Sequence, residues 1–192
     1  MEQTSKHRCF GDPTDSLMAR YHDEEWGIPV HEDQKLFEFL LLESAQAGLS
    51  WKTILHKREN YRRAFDKFDP KLVASYGADQ EARLLADPGI VRNRLKITSA
   101  INNAKRFLEI QREFKSFNNY IWDFTEFKNY PVAPRRTSGP VPTQTRESQS
   151  MSRDLKKRGF KFVGPVICYS FMQAIGIVND HTRDCFLSPE PP

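Results

Sequence analysis

Apolar positions along this chain recur mostly at helical intervals and show no convincing alternation of the kind a strand requires. The densest run, Leu36, Phe37, Phe39, Leu40, Leu41 and Leu42, is apolar all round rather than on one face. It predicts a helix buried on every side, capped by Asp33 and stopped at Gly48, with Glu43 inside it. Ser50 caps a second helix, with Ile54, Leu55, Tyr61 and Phe65 on one side and Lys57, Arg58, Arg62 and Arg63 on a solvated face. Asp69-Pro70 opens a short helix, and Asp79 caps another that ends near Asp87, before the Pro88-Gly89 break. Ile97, Ala100, Ile101, Ala104, Phe107 and Leu108 then hold the period of a long amphipathic helix reaching about Phe114. A shorter helix follows Ser116, with Phe117, Tyr120, Ile121 and Phe124 inward.

Between these helices lie stretches with other signals. Residues 1–8 form a tail, and Cys9 to Pro29 is turn-rich and then dense in polar and aromatic groups, Tyr21-His22-Asp23-Glu24-Glu25-Trp26-Gly27. Tyr130 to Ser148 carries four prolines and reads as a surface loop. Ser150 to Arg158 is a helix ending at Gly159; Phe160 to Gly164 is a tight turn; Pro165 opens an apolar helix through Ile175. The expected fold is all-α, a single unit over 1–192 with terminal segments 8–30 and 178–186, a helical body 33–148 containing loop 130–148, and the helix-turn-helix stretch 150–176.

Composition narrows the class. The 192 residues, 39% hydrophobic and 28% charged, suit a globular protein with a real core. The 29 Lys and Arg against 25 Asp and Glu leave a net charge of +4, a weak pointer to nucleic acid. No apolar run reaches a membrane span of roughly 18 residues, and the N-terminus lacks a signal-peptide core, so a cytoplasmic setting is expected. No heptad repeat demands an oligomer, so a monomer is expected.

Three groupings carry candidate chemistry. Glu43 is a carboxylate in an apolar helix, and such a group persists either through a partner in the fold or through a ligand that supplies one. Cys9 and His22, twelve residues apart, and His181 and Cys185, three apart, offer the four ligands of a closed tetrahedral zinc site, with His7 a competitor and Cys168 a core thiol. Such a zinc would be structural and would join the termini. Around the 160–164 turn, Phe160, Phe162 and Val163 can act as anchors and Gly164 can let the backbone approach a phosphate. Lys156, Lys157, Arg158 and Lys161 supply the charge that helix-hairpin-helix DNA-binding units use, although an ordinary cationic hairpin would look alike.

These motifs converge. Cys9, Tyr21-His22-Asp23, Glu25-Trp26-Gly27, Glu43 with Ala47-Gly48-Leu49-Ser50-Trp51, Lys157 to Gly164, Cys168 to Ala174 and Val178-Asn179-Asp180-His181 together resemble the DNA-3-methyladenine glycosylase I family, the constitutive bacterial type, from Cys9 to about Phe186. The resemblance implies a helix-hairpin-helix glycosylase fold, one zinc on Cys9, His22, His181 and Cys185, and hydrolysis of 3-methyladenine from alkylated double-stranded DNA with the free base as product. It implies Glu43 as the carboxylate that recognises the cationic base, Tyr21 and Trp51 stacking on it, Trp26 as a wall, and Leu49 as the wedge that fills the emptied stack. Lys157, Lys161 and Gly164 are then the DNA contacts, and Asp180 caps or orients the neighbouring ligand. Related glycosylases of the wider superfamily carry a catalytic Asp where this chain has Asn179, which argues against lyase chemistry. Two departures touch the pocket: Gly11 stands where a tryptophan is common, with Phe10 beside it as a substitute ring, and Ala45 where a glutamine is usual. If they disable the pocket, the alternative is a damaged-DNA-binding protein with impaired catalysis.

Overall fold

The computed structural model describes residues 7–11, 14–126, 130–131 and 142–188, and their regular secondary structure is almost wholly helical. In chain order the helices are α1 (Ser16–Glu24), α2 (Asp33–Gln46), α3 (Trp51–Ala64), α4 (Pro70–Ala74), α5 (Ala78–Ala86), α6 (Arg94–Phe114), α7 (Phe117–Asp123), α8 (Arg146–Lys157) and α9 (Pro165–Ala174). One parallel pairing, β1 (Tyr130–Pro131) with β2 (Val178–Asn179), is strand structure that no alternation announced. Most of the expected tail and of the expected proline-rich loop, residues 1–6 and 132–141, lies outside the described residues.

The all-apolar run makes α2 the central element. Every residue from Leu36 to Ala45 is buried, and α2 packs against α3, α6, α7 and α9. The long α6 crosses α4 and α5 on its other side, and α8 lies along α9. Ser50 caps α3 through Thr53 N, Asp69 caps α4, and Ser116 caps α7, each as its side chain suggests.

Five local expectations need correction. The polar stretch before Pro29 contains α1, capped by Asp15 and anchored by buried Met18, Tyr21 and His22. Glu32, not Asp33, occupies the cap position of α2. The Asp33 carboxylate instead accepts from Phe117 N and Asn118 N at 2.8 Å each, serving the start of α7 across the fold. The cap of α5 is Gly77, with Asp79 in its first turn, and α8 starts at Arg146 behind a Thr145 cap.

Arg58 is the fifth, because it is buried rather than solvated. Its guanidinium bonds Glu38 at 2.6 Å and grips both oxygens of Glu25 at 2.8 Å, while Lys35 and Arg62 complete the cluster. Three segments, the end of α1, α2 and α3, meet at this one cation. Removing one partner of a buried pair leaves the others uncompensated, so Arg58→Ala is expected to lower stability by roughly 3–5 kcal/mol in urea unfolding. Arg62→Ala, at the exposed rim, should cost less than about 1 kcal/mol.

The two ends of the chain meet beside α9. Gly27 N donates to Gln173 O and Val30 N to Ile175 O, both at 3.0 Å. Gly176, at φ +72°, permits this approach, since a Cβ there would lie 2.3 Å from the Ile28 carbonyl carbon.

Candidate functional site

A cavity of about 210 Å³ opens where α1, α2, α3 and α9 converge, lined by Phe10, Met18, Tyr21, Trp26, Glu43, Gln46, Trp51, Ser170 and Gln173. Pockets for drug-sized molecules run roughly 300–1,000 Å³, so this one suits a single flat heterocycle. Glu43 reaches it from the middle of α2, just before the helix stops at Ala47 and turns through Gly48 at φ +76°. Lys96 Nζ closes that end by donating to Ala45 O at 2.8 Å and Ala47 O at 2.6 Å.

The Glu43 carboxylate is 4% exposed and makes no hydrogen bond or ion pair with any described residue. Burial alone pushes its pKa up to about 8, so at neutral pH the empty site holds mainly the protonated acid. Tyr21, with burial and then the Glu43 charge opposing its ionisation, stays a neutral phenol. The Trp51 indole N–H is buried without an acceptor among the described residues. Two polar groups lacking partners therefore line one small cavity.

The rings are arranged as adjoining walls. Tyr21 and Trp51 touch at 5.0 Å between centroids with planes inclined by 45°, which leaves no space for a base between them; a ligand packs on the faces they turn to the cavity. Phe10 stands edge-on to Trp26 at 4.7 Å and beside Tyr21, so the ring expected to replace the missing aromatic at Gly11 does line the site. Ala45 points away, toward Phe37, Leu40 and Ile97, so that departure does not touch this cavity.

Behind the wall sits the four-ligand cluster. The Cys9 and Cys185 Sγ atoms lie 3.3–3.5 Å from His22 Nε2 and His181 Nδ1, and all four donor atoms fall within 4.8 Å of one another. A tetrahedral metal with ordinary Zn–S and Zn–N bonds would hold sulfur and nitrogen about 3.6 Å apart, so the donor set fits a metal ion. Outer partners fix each imidazole: His22 Nδ1 meets Asp23 at 2.9 Å, Asp23 is gripped by Arg8, and His181 Nε2 meets Trp26 O at 3.2 Å. The competitor His7 pairs instead with Asp184 at 2.9 Å, and Cys168 is a buried thiol.

At the opposite rim, Leu49 is 41% exposed beside the α2–α3 break. In the 160–164 turn Phe160 and Val163 are buried, whereas Phe162 is only half-buried and helps line an open surface depression with Leu95 and Lys161, so it is not an anchor. Asn103 clamps Lys161 through both its N–H and carbonyl, Asn102 holds Gly159 O, and Ser44 and Ser152 hold Phe162 O and Val163 O. Lys157 and Lys161 are exposed, and nothing stands within 4 Å of a Cβ built on Gly164. Arg158 leaves the cationic group, since it is tied to Glu113 and Asp154 and stacks over Phe114 and Tyr120.

Met18, Gln46, Ser170 and Gln173 are cavity residues that the sequence reading did not single out. Ser170 and Gln173, three apart in the apolar α9, were the available signal. Asp180 does not hold the neighbouring His181; its carboxylate accepts from Tyr169 Oη at 2.7 Å and from Gln173 Nε2.

Residues 12–188 match the family model described as methyladenine glycosylase. The chain is 47% identical over 182 residues to DNA-3-methyladenine glycosylase 1 of Escherichia coli strain K12, covering 95% of this chain and 97% of that one. It is 44% identical over 181 residues to the DNA-3-methyladenine glycosylase of Haemophilus influenzae, covering 93% and 96%. Among solved structures, a 3-methyladenine DNA glycosylase I matches with a TM-score of 0.90 at 45% identity, over 95% of this chain and all of the other. A Staphylococcus aureus 3-methyladenine DNA glycosylase I, solved to explain its recognition of 3-methyladenine, matches with a TM-score of 0.88 at 37% identity, over 93% and 95%.

Proposed function

The chain belongs to the methyladenine glycosylase family, and from that premise we propose that its cavity receives a 3-methyladenine base swung out of duplex DNA and read by Glu43. It is a glycosylase that excises 3-methyladenine from alkylated DNA. The observation that carries the site assignment is Glu43, a buried carboxylate with no hydrogen-bond or ion-pair partner among the described residues, facing a space the size of one base.

The chemistry explains how little else the site needs. Methylation at N3 leaves adenine with a fixed positive charge, so the base is a good leaving group before the enzyme acts. A cation entering beside Glu43 supplies the missing partner and draws the carboxylate into its charged form, with charge-assisted hydrogen bonds to the amino edge. The phenol of Tyr21 and the faces of Trp51, Trp26 and Phe10 surround the cation with π-density, worth about 1–2 kcal/mol when desolvated. Water then attacks the sugar carbon as the neutral base departs. No lysine lines the cavity among the described residues, and Asn179 stands where related enzymes carry an acid, so hydrolysis stops at the abasic site without a lyase step.

Duplex binding is assigned to α8, the 160–164 turn and α9 acting as a helix-hairpin-helix unit. Gly164 lets a phosphate approach the N–H groups that start α9, Lys157 and Lys161 add charge, and Leu49 fills the gap left by the extruded base. The cluster of Cys9, His22, His181 and Cys185 would hold one zinc, which, with no open position, supplies a structural link between the ends of the chain and no chemistry at the base. The whole chain acts as a single monomeric unit in this reading. No helix among the described residues is long and apolar enough to cross a membrane, and the bacterial relatives and the DNA substrate favour a cytoplasmic location.

Purified protein incubated with methylated duplex DNA should release free 3-methyladenine and leave intact abasic strands. Damage-selective binding without release would replace this function with that of a binding protein. Lys161→Ala should weaken binding to all sequences alike and lower the slope of log K against log salt by about 1. An unchanged slope would remove Lys161 from the interface.

A further inference from the structure

We propose that Gln173 is a specificity-determining residue that reads the six-position amino group of the base, and that Asp180 is the positioning residue that sets which end of its amide faces the cavity. The inference rests on the placement of the base beside Glu43 given above. Gln173 is half-buried on α9 and lines the cavity with Glu43. Its amide NH₂ is committed: Asp180 accepts from Gln173 Nε2 on the side away from the cavity, on the same oxygen that accepts from Tyr169 Oη. An Asp180 oxygen that already accepts from Tyr169 Oη takes a second hydrogen bond from the amide nitrogen, whereas the amide oxygen turned toward it would set acceptor against acceptor. Trigonal geometry then turns Oε1 away from Asp180, and among the described residues Oε1 has no hydrogen-bond donor of its own.

The cavity therefore presents Gln173 Oε1 as an acceptor whose polarity is fixed from outside, beside the Glu43 carboxyl, which becomes a second acceptor when it ionises. An exocyclic amino group carries two N–H donors and can satisfy both. A base with a carbonyl at that position brings an acceptor against an acceptor, and the site can neither ionise nor flip Gln173 to relieve it without breaking the Asp180 bond. Discrimination of adenine-type from oxo-type purines is then built into α9 as well as α2. Sites that must leave a buried polar group unpaired reject the wrong ligand more strongly than sites that merely lose a contact.

The test compares free 3-methyladenine with free 3-methylhypoxanthine, which differ at the six position in amino against carbonyl, titrated by tryptophan fluorescence into wild type and variants. Gln173→Leu is expected to weaken 3-methyladenine about tenfold with no matching loss for 3-methylhypoxanthine, so the preference between them shrinks. Asp180→Ala, which frees the Gln173 amide to rotate, should shrink the preference in the same direction. If Asp180→Ala does not fold, Gln173→Leu alone decides. Equal weakening of both bases in Gln173→Leu, or an unmoved preference, overturns the inference and leaves Gln173 a packing residue. Wild type that releases no 3-methyladenine from methylated DNA would sink the underlying function instead, so the two failures are told apart.

Discussion

Glu43→Gln should release 3-methyladenine from methylated DNA roughly 10²-fold more slowly than wild type while folding at least as well. The rate loss follows from trading a carboxylate for a neutral amide against a cation: hydrogen bonds to charged groups are worth about 1.5–3 kcal/mol, and the purely electrostatic attraction disappears with them. The retained fold follows from the same burial that makes the residue useful. Glu43 holds no donor among the described residues, so none of these is orphaned when its charge is removed. Equal release rates for the two proteins would take recognition away from Glu43. A collapse of stability would show the acid to be structural.

The pH dependence has a definite sign. In the unfolded chain Glu43 titrates near 4.5, and in the folded chain near 8, so between these values the folded state holds a proton that the unfolded state has lost. Stability of the wild type therefore declines as pH rises through that window, by at most about 1.4 kcal/mol per pH unit from this group, and levels off above it. Glu43→Gln lacks this decline, so its urea midpoint should gain on wild type from pH 5 to pH 8 and then run parallel. The wild-type kcat/KM should climb over the upper part of the same window as the free enzyme's carboxylate ionises, a limb missing from the variant. Parallel stability curves across the whole range would mean that the carboxyl is not held in its neutral form.

What could be read from sequence was local. The all-apolar run around Glu43, the Ser50 and Ser116 caps and the Pro165 start are each decided by a few neighbouring side chains, and they are where the pattern puts them. The four Cys and His residues were legible because metal chemistry demands a particular donor set, although spacing alone left His7 in competition until its pairing with Asp184 was seen. The misses are residues whose role depends on a distant partner. Asp33 serves a helix that begins at Phe117, Arg58 is buried because Glu25 and Glu38 arrive from other elements, and Phe162 is freed because Phe160 and Val163 suffice to seat the turn. Helix α1 was hidden for a related reason, since only three of its nine residues are buried and no apolar stripe stands out. Gln173 has meaning only once Asp180 is folded back against it.

A stability effect as large as that at Arg58 should come from the cluster of Cys9, His22, His181 and Cys185. Protein purified without chelator should carry one zinc per chain, and Cys185→Ser should lose it together with about 3–5 kcal/mol of stability, a fall in Tm of roughly 10–15 °C for a chain of this size. Without a cation the four groups are poor neighbours: burial and Cys185 push the Cys9 thiol up to about 12, and burial pulls His181 down to about 4, so the uncharged donors offer one another only weak hydrogen bonds. A metal converts the thiols to thiolates and releases their protons, so loading should strengthen as pH rises. The consequence reaches the cavity because each N-terminal ligand adjoins a wall residue, Cys9 beside Phe10 and His22 beside Tyr21, while Trp26 lends its carbonyl to His181. Cys185→Ser should therefore also weaken free 3-methyladenine binding, whereas Arg58→Ala, at a residue that does not itself line the cavity, should weaken it less in the folded fraction. Metal-free protein with an unchanged Tm would show that the ends of the chain are held by the Gly27–Gln173 and Val30–Ile175 backbone bonds and the close seat at Gly176 without a metal's help.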